Sequence, residues 1–176
     1  INLIGGQVFA GATRQLVIAN TSGTGYGTSI FYGDVVKLVA GGTIEKDTGQ
    51  ATATPCGVFL GCQYTSATTG QLTFSQYYPA SLAVKNGTTI FAFVADDPDQ
   101  VFRCAVTTAA GATTIGSASS ILVGLNMAGN TLTGSASTGN SAGAVVADSA
   151  NASGGGFRVL NLVPDTQISS SCTYVS

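Results

Sequence analysis

The chain has 176 residues, of which 44% are hydrophobic and only 8% are charged, and its formal net charge is −2. This length fits one domain with a substantial core, and high apolar content with low net charge excludes a disordered chain. Its six Lys and Arg residues are scattered and cannot form the basic stripe that binds phosphate groups, so we expect no nucleic-acid partner.

The sequence contains no histidine, the commonest general base and the commonest transition-metal ligand. It also lacks the P-loop, the dinucleotide-binding glycine motif, the zinc-protease motif and the hydrolase nucleophile motif. No apolar run approaches the roughly 20 residues of a transmembrane helix. We therefore predict a protein that is not an enzyme, uses no cofactor or metal and has no membrane partner.

The N-terminal residues 1–13 predict an extended arm, because isolated apolar residues alternate there with glycines. Exposed apolar side chains on such a segment need a surface to lie on. A frayed terminus or an ordinary edge strand is the alternative. The residues that we predict to contact a partner are Leu3, Ile4, Val8 and Phe9.

Short apolar runs separated by glycine, asparagine and proline turns predict a series of β-strands along the rest of the chain. Gly41 and Gly42 predict a two-residue hairpin turn with positive φ at both positions. The predicted strands cover residues 15–19, 35–40, 43–46, 58–64, 71–77, 89–95, 101–106 and 157–163, with a weaker strand at 171–175.

Two of these strands carry more detailed expectations. Alternation along 58–64 predicts that Val58, Leu60, Cys62 and Tyr64 face the core. The runs 89–95 and 101–106 flank the Asp-rich residues 96–99 and predict a hairpin with an acidic tip. Three aspartates there suggest a calcium site, but Asp and Pro are favoured turn residues and a solvated tip explains them better.

The composition changes between residues 109 and 156, where there is no aromatic residue and a single charge, Asp148. Recurrent Gly and Thr argue against helix, so this region is a candidate insertion of loops and short strands. Residues 14–176 are then predicted to form one β-rich domain. The predicted fold is all-β, a single-domain antiparallel β-sandwich or small β-barrel with an N-terminal arm and a Gly/Ala/Ser/Thr-rich loop region.

The four cysteines, Cys56, Cys62, Cys104 and Cys172, are too few and too irregularly spaced for a metal site. An extended run from Cys56 to Cys62 spans roughly 20 Å, at about 3.3 Å per residue. A disulfide requires Cα atoms less than about 7 Å apart. Buried thiols are therefore the favoured interpretation, with a bond between Cys104 and Cys172 left open.

Five strings within residues 30–106 are specific when taken as a set: IFYGDVVKL, GGTIEKDTG, GVFLGCQYT, LTFSQYYP and FAFVADDPDQVFRC. Together they resemble the small virion structural proteins of tailed bacteriophages that decorate or cement a capsid shell. The resemblance implies a non-enzymatic protein, made in the host bacterial cytoplasm and bound outside the capsid. It further implies the major capsid protein as partner and self-association, commonly as a homotrimer, but it supplies no catalytic or binding residue.

Two other classes stay open at this stage. An extracellular adhesin or pilin-like subunit would have disulfides and a donated strand. A carbohydrate-binding β-sandwich would have an aromatic groove with paired carboxylates, for which Asp34, Glu45, Asp47 and residues 96–99 are the candidates. Asp34 is better explained as a turn residue, and Glu45 and Lys46 as a solvated strand end. The tyrosines that could line such a groove, better explained as core or interface residues, are Tyr26, Tyr32, Tyr64, Tyr77 and Tyr78.

Overall fold

The computed structural model describes residues 11–19, 25–151, 155–168 and 171–176. Over these ranges the chain forms strands and two 3₁₀ helices, Ser120–Leu122 and Pro164–Thr166, and no α-helix, which confirms the all-β class. The strands are β1 (Arg14–Ile18), β2 (Val35–Leu38), β3 (Thr43–Lys46), β4 (Gly57–Thr65), β5 (Leu72–Ser75), β6 (Phe91–Ala95), β7 (Cys104–Thr107), β8 (Asn126–Asn130), β9 (Ala144–Asn151), β10 (Phe157–Arg158), β11 (Gln167–Ile168), β12 (Ser171–Cys172) and β13 (Tyr174–Val175).

Five strands of the N-terminal half close into a small barrel. β2 pairs antiparallel with β3 and with the start of β4, β4 pairs with β6, and β6 pairs with β1. The ring closes because β1 and β3 pair in parallel. A barrel of this size is filled by its own side chains, which here include Ile18, Ile30, Val36, Ile44, Phe59, Cys62, Ile90, Ala92 and Val94.

The C-terminal half forms a second closed sheet. β7 and β9 pair in parallel, whereas β9 with β8, β8 with β10, and β13 with β7 pair antiparallel. Residues 160–163 continue from β10 to β13 and close the ring, since Asn161 and Ser176 exchange two backbone hydrogen bonds of 3.0 Å. Its core contains Val106, Ala118, Met127, Val145, Val159 and Val175.

The two barrels have the same topology. The strand order β1–β3–β2–β4–β6 of the first barrel corresponds to β7–β9–β8–β10–β13 of the second, with the parallel pair at the same place. Individual hydrogen bonds also correspond: Phe59 N donates to Asp34 O at 2.9 Å, and Val159 N donates to Leu125 O at 3.0 Å. The described part of the chain therefore contains an internal structural repeat, in which each unit is one barrel.

A conformational detail supports this equivalence. Gly33 N donates to Phe59 O, and Gly124 N donates to Val159 O, both at 2.8 Å. Gly33 has φ 94° and Gly124 has φ 87°, a region that only glycine enters freely. The same tight turn therefore precedes β2 and β8.

The predicted core face of β4 is wrong in its first half. Phe59 is fully buried, whereas Val58 and Leu60 are only partly covered. The pairing with β6 shifts between Phe59 and Gly61, and Gly61 has φ 142°. This β-bulge adds one residue, so that Phe59 and Cys62 both point inward. Simple alternation could not have predicted it.

The predicted hairpin around residues 96–99 is also wrong. β6 belongs to the first barrel, where β1 and β4 occupy its two edges, and β7 belongs to the second barrel. Residues 96–103 instead connect the barrels, and Asp96 is held by Arg14 at 2.8 Å. The Gly41-Gly42 turn, in contrast, is confirmed, with φ values of 98° and 77°.

Residues 109–156, the candidate insertion, supply β8 and β9 to the second barrel. Between these two strands, residues 131–143 leave the barrel and pack on the first one. Tyr32 pairs with Asn140 across this contact, and Gln76 Nε2 donates to Asn140 Oδ1 at 2.8 Å. The segment 131–143, called the clasp from here on, joins the two barrels.

Candidate functional site

A buried ion pair lies where the clasp meets the first barrel. Lys46 Nζ is 2.9 Å from Asp34 Oδ2, with the two side chains only 8% and 3% exposed. Asp34 Oδ2 also accepts a hydrogen bond from Phe31 N at 2.8 Å, and Asp34 Oδ1 accepts one from Ser141 Oγ at 2.5 Å. Both carboxylate oxygens therefore have partners, and one of them holds the clasp through Ser141.

Lys46 is held by groups of the first barrel and of the clasp. Its Nζ donates to Leu132 O at 3.3 Å and lies 5.9 Å from the centre of the Phe31 ring. The sequence predicted Asp34 as a simple turn residue and Lys46 as solvated. Both are buried because the clasp, more than 80 residues away in sequence, covers them. Their environment is structural and offers no free base or nucleophile.

A cleft of about 1160 Å³ separates the barrels beside this pair. Tyr32, Arg103 and Tyr174 line it, and the Arg103 guanidinium lies 5.1 Å from the centre of the Tyr174 ring. The cation–π contact orients Arg103 along the cleft wall. Within the described ranges, no group of three or more His, Cys, Asp or Glu side chains could hold a metal ion.

Two further aspartates, Asp47 and Asp97, serve local turns. Asp47 accepts hydrogen bonds from Gly49 N and Thr54 N at 2.9 and 2.8 Å, and Asp97 Oδ1 accepts one from Asp99 N at 2.9 Å. Such Asx contacts fix loop geometry. Asp97 thus acts as a turn residue, as predicted for residues 96–99, and Asp47 has a structural role that was not predicted from the sequence.

The five tyrosines do not converge on one groove. Tyr78 is fully buried, and its hydroxyl accepts a hydrogen bond from Tyr26 N at 2.6 Å and donates one to Tyr26 O at 3.1 Å. Burial raises the pKa of Tyr26, Tyr64 and Tyr78. Tyr77 stacks on Phe31 with ring centres 5.3 Å apart. Tyr32 is the one that lines the cleft.

All four cysteines lie in described ranges and are free thiols. Cys62 is buried in the first barrel, and this burial raises its pKa to about 12. Burial likewise raises the pKa of Cys56. A thiol with a raised pKa is a poor nucleophile at neutral pH, so these residues act as small apolar side chains.

An exposed apolar patch covers the outside of the first barrel at β5. Leu72 and Phe74 are 59% and 66% exposed. The rings of Phe74 and Phe93 stack with their centres 6.4 Å apart. Gln63 pairs with both Phe74 and Phe91, which places these residues in one row on the outer face. Leu72, Phe74, Phe91 and Phe93 are together called the β5 patch.

The β5 patch adjoins a strand edge. β5 pairs with residues Cys62–Thr65 of β4, and in the described part of the chain no other strand pairs with its far edge. An edge strand presents backbone donors and acceptors to a further strand. The patch and the edge together offer both apolar and hydrogen-bonding contacts.

The second barrel carries its own exposed apolar residues. Ile121 is 76% exposed, Val123 42% and Leu160 46%. Val123 and Leu160 flank the hydrogen bond from Gly124 N to Val159 O. Ile121, Val123 and Leu160 are together called the second-barrel patch.

The predicted contact residues Leu3, Ile4, Val8 and Phe9 lie outside the described residues. The sequence placed Leu72 and Phe74 on one face of a strand, but alternation alone does not tell an inner face from an outer one. The described residues contain no helix with the length and apolarity needed to cross a membrane. Comparisons of the chain with protein-family models, curated proteins and solved structures found no match.

Proposed function

We propose that this chain is a non-enzymatic virion structural protein that binds the outer surface of a tailed-bacteriophage capsid. It would stabilise the lattice of the major capsid protein and associate with itself, commonly as a homotrimer. The observation that carries the proposal is one exposed apolar patch on each barrel of a two-barrel body. A protein that cements a shell needs at least two contact surfaces, one for the shell and one for a neighbour.

The chemistry of the surface supports recognition by shape and hydrogen bonding. Only 8% of residues are charged, and two buried charges, Asp34 and Lys46, neutralise each other. Interface cores are poor in charged residues and rich in aromatic and apolar ones. Repetition over a symmetric lattice would let modest individual contacts hold strongly.

The alternatives have less support. A pilin-like subunit has a sheet that lacks a strand, whereas both barrels here are closed and their cores filled. Free cysteines also argue against an adhesin stabilised by disulfides. A carbohydrate-binding groove would bring several tyrosines together, and four of the five candidates pack elsewhere.

The proposal is tested by co-sedimentation of the purified chain with phage shells stripped of their decoration. We expect the wild-type chain to pellet with shells and the double variant Ile121→Ser, Leu160→Ser to lose at least tenfold in affinity. The matched control is Leu38→Ser, which changes an apolar residue of 54% exposure on the first barrel. A wild-type chain that stays in the supernatant with every shell tested would overturn the proposal.

A further inference from the structure

We propose that the β5 patch binds the N-terminal segment, residues 1–10, of a second copy of this chain. Copies would then associate arm to barrel, leaving the second-barrel patch for the shell. This inference rests on the self-association that is part of the proposed function, and it names the two surfaces that make the contact.

The β5 patch suits an uncharged, extended peptide. Its most exposed members, Leu72 and Phe74, project beside Gln63 and Thr65, which carry no charge. The cation close to the patch is the exposed Lys85, whose backbone N donates to Thr65 O at 2.9 Å. The free edge of β5 can hydrogen-bond to an added strand, while the apolar rings receive its side chains.

The N-terminal segment has the matching composition. Residues 1–10, INLIGGQVFA, contain no charge and no proline, so in an extended backbone every N–H that faces a strand edge can donate to it. Its large apolar side chains include Leu3, Ile4, Val8 and Phe9. Apolar side chains on an uncharged, extended segment are the kind that an exposed apolar patch recruits.

The path of the chain favours a second copy over the same copy. β5 lies three strands away from β1, and Phe74 is displaced from Arg14 by three residues along the strand direction. The two offsets together give a direct distance of about 17 Å between Phe74 and Arg14. Residues 9–13, fully extended, span about the same distance. A segment docking on its own barrel would therefore have to run straight across the surface from Arg14.

The residues that begin this path are exposed. Residues 11–13 are all exposed, as are Arg14 and Gln15. Residues 11–13 make no strand pairing, so no pairing holds the chain on a path across its own barrel. The β5 patch of a neighbouring copy can be reached without that path, and we assign Val8 and Phe9 to it.

The first test is the mass of the full-length chain in solution, without shells, by light scattering. We expect the wild type to exceed the single-chain mass of 17.5 kDa. Leu72→Ser with Phe74→Ser, and separately Val8→Ser with Phe9→Ser, should each reduce it to one chain. Ile121→Ser, an apolar residue of the second-barrel patch, should leave it unchanged. Circular dichroism establishes that each variant is folded.

The second test uses cysteine cross-linking between copies. Chains with Val8→Cys are mixed with chains with Phe74→Cys, and the wild type controls for the native thiols. We expect mixed dimers on a non-reducing gel, at least tenfold above either variant alone. A chain with both substitutions that closes only on itself would overturn the inference in favour of intramolecular docking.

The outcomes separate this inference from the proposed function. A wild-type chain that is monomeric and still pellets with shells overturns the arm-to-barrel contact alone and leaves the capsid role standing. An oligomer that depends on Phe74 and Phe9 but ignores every shell supports the contact and overturns the capsid role.

Discussion

The two barrels share a topology and differ in almost every side chain. Ile18, Val36 and Phe59 fill the first barrel where the equivalent positions of the second hold Val106, Met127 and Val159. Volume is redistributed among these positions, yet the strand order and the hydrogen bonds between strands persist. The comparison shows that the inward positions and the turn glycines specify this barrel, while the identities of its apolar residues vary.

The differences between the barrels lie where function is proposed. The first barrel adds β5 and its apolar patch, whereas the chain after residue 163 of the second barrel turns into a 3₁₀ helix. The first barrel also has the buried pair Asp34 and Lys46, where the second has Leu125 and, counting along β9, Ala147. The ion pair therefore belongs to the clasp contact, and the barrel itself does not require it.

Among the features that distinguish the two barrels, breaking the ion pair should have the largest effect on the free energy of unfolding. Lys46→Ala leaves the Asp34 carboxylate buried without its cation, and we expect a loss of about 3–5 kcal/mol in the free energy of unfolding. Asp34→Leu should cost a similar amount, because it strands the Lys46 ammonium. Urea denaturation measures both.

The double variant Asp34→Leu, Lys46→Ala installs the residues of the second barrel. It removes the unpaired charge but leaves Phe31 N without its acceptor, so we expect it to recover part of the loss. A double variant as unstable as the sum of the two single variants would show that the charges are not coupled.

The Tyr78 hydroxyl is the next test, since the equivalent bridge in the second barrel uses Cys172. Tyr78→Phe removes the group that pairs with Tyr26 N and Tyr26 O. We expect a loss of about 1–3 kcal/mol, because two partly buried backbone groups lose their partner. Thermal unfolding measures it, and Tyr32→Phe, at an exposed tyrosine, is the control. An equal, negligible effect of both changes would mean that water replaces the hydroxyl.

The existence of strands could be predicted from the sequence, but their partners could not. Local alternation and the turn glycines placed β1 to β4 within about two residues of where they lie. The error at residues 96–99 arose because two neighbouring strands that suit a hairpin pair instead with strands far away in sequence. Phe59 faces the core, contrary to the prediction, because of a bulge that a single glycine permits.

The candidate site was even harder to predict from the sequence. Asp34 and Lys46 are buried by a clasp that local sequence does not connect to them, so each looks like a surface residue. The β5 patch requires knowing that the apolar face of Leu72 and Phe74 is the outer one, which depends on barrel closure. Long-range pairing decides both features.

Alkaline pH should destabilise the first barrel through Cys62, whose place in the second barrel is taken by Leu162. Burial holds the pKa of Cys62 at about 12, above the value of 9.0 of a free thiol. Above pH 9 the unfolded chain loses this proton while the folded chain keeps it, so stability is complete below that pH and falls as pH rises.

Cys62→Ala should therefore flatten the decline of the free energy of unfolding between pH 9.5 and 11 by about 1.4 kcal/mol per pH unit. Urea denaturation across this range measures the slope. Cys172→Ala, at a thiol outside the first barrel, is the comparison. An unchanged slope in Cys62→Ala would mean that the tyrosines carry the alkaline loss.

The smallest effect tests the equivalence of the barrels most directly. Gly33→Ala and Gly124→Ala place a side chain at positive φ in the same turn of each barrel. An added Cβ at Gly33 meets only Ser141 Cβ at 3.6 Å, and one at Gly124 meets nothing within 4 Å. The cost is then set by backbone conformation alone, and we expect about 1–2 kcal/mol for each variant in urea denaturation. Gly27→Ala, which has neither positive φ nor a close neighbour, should cost nothing. A loss at one glycine only would mean that the two turns, and with them the two barrels, are not equivalent in energy although they match in hydrogen bonding.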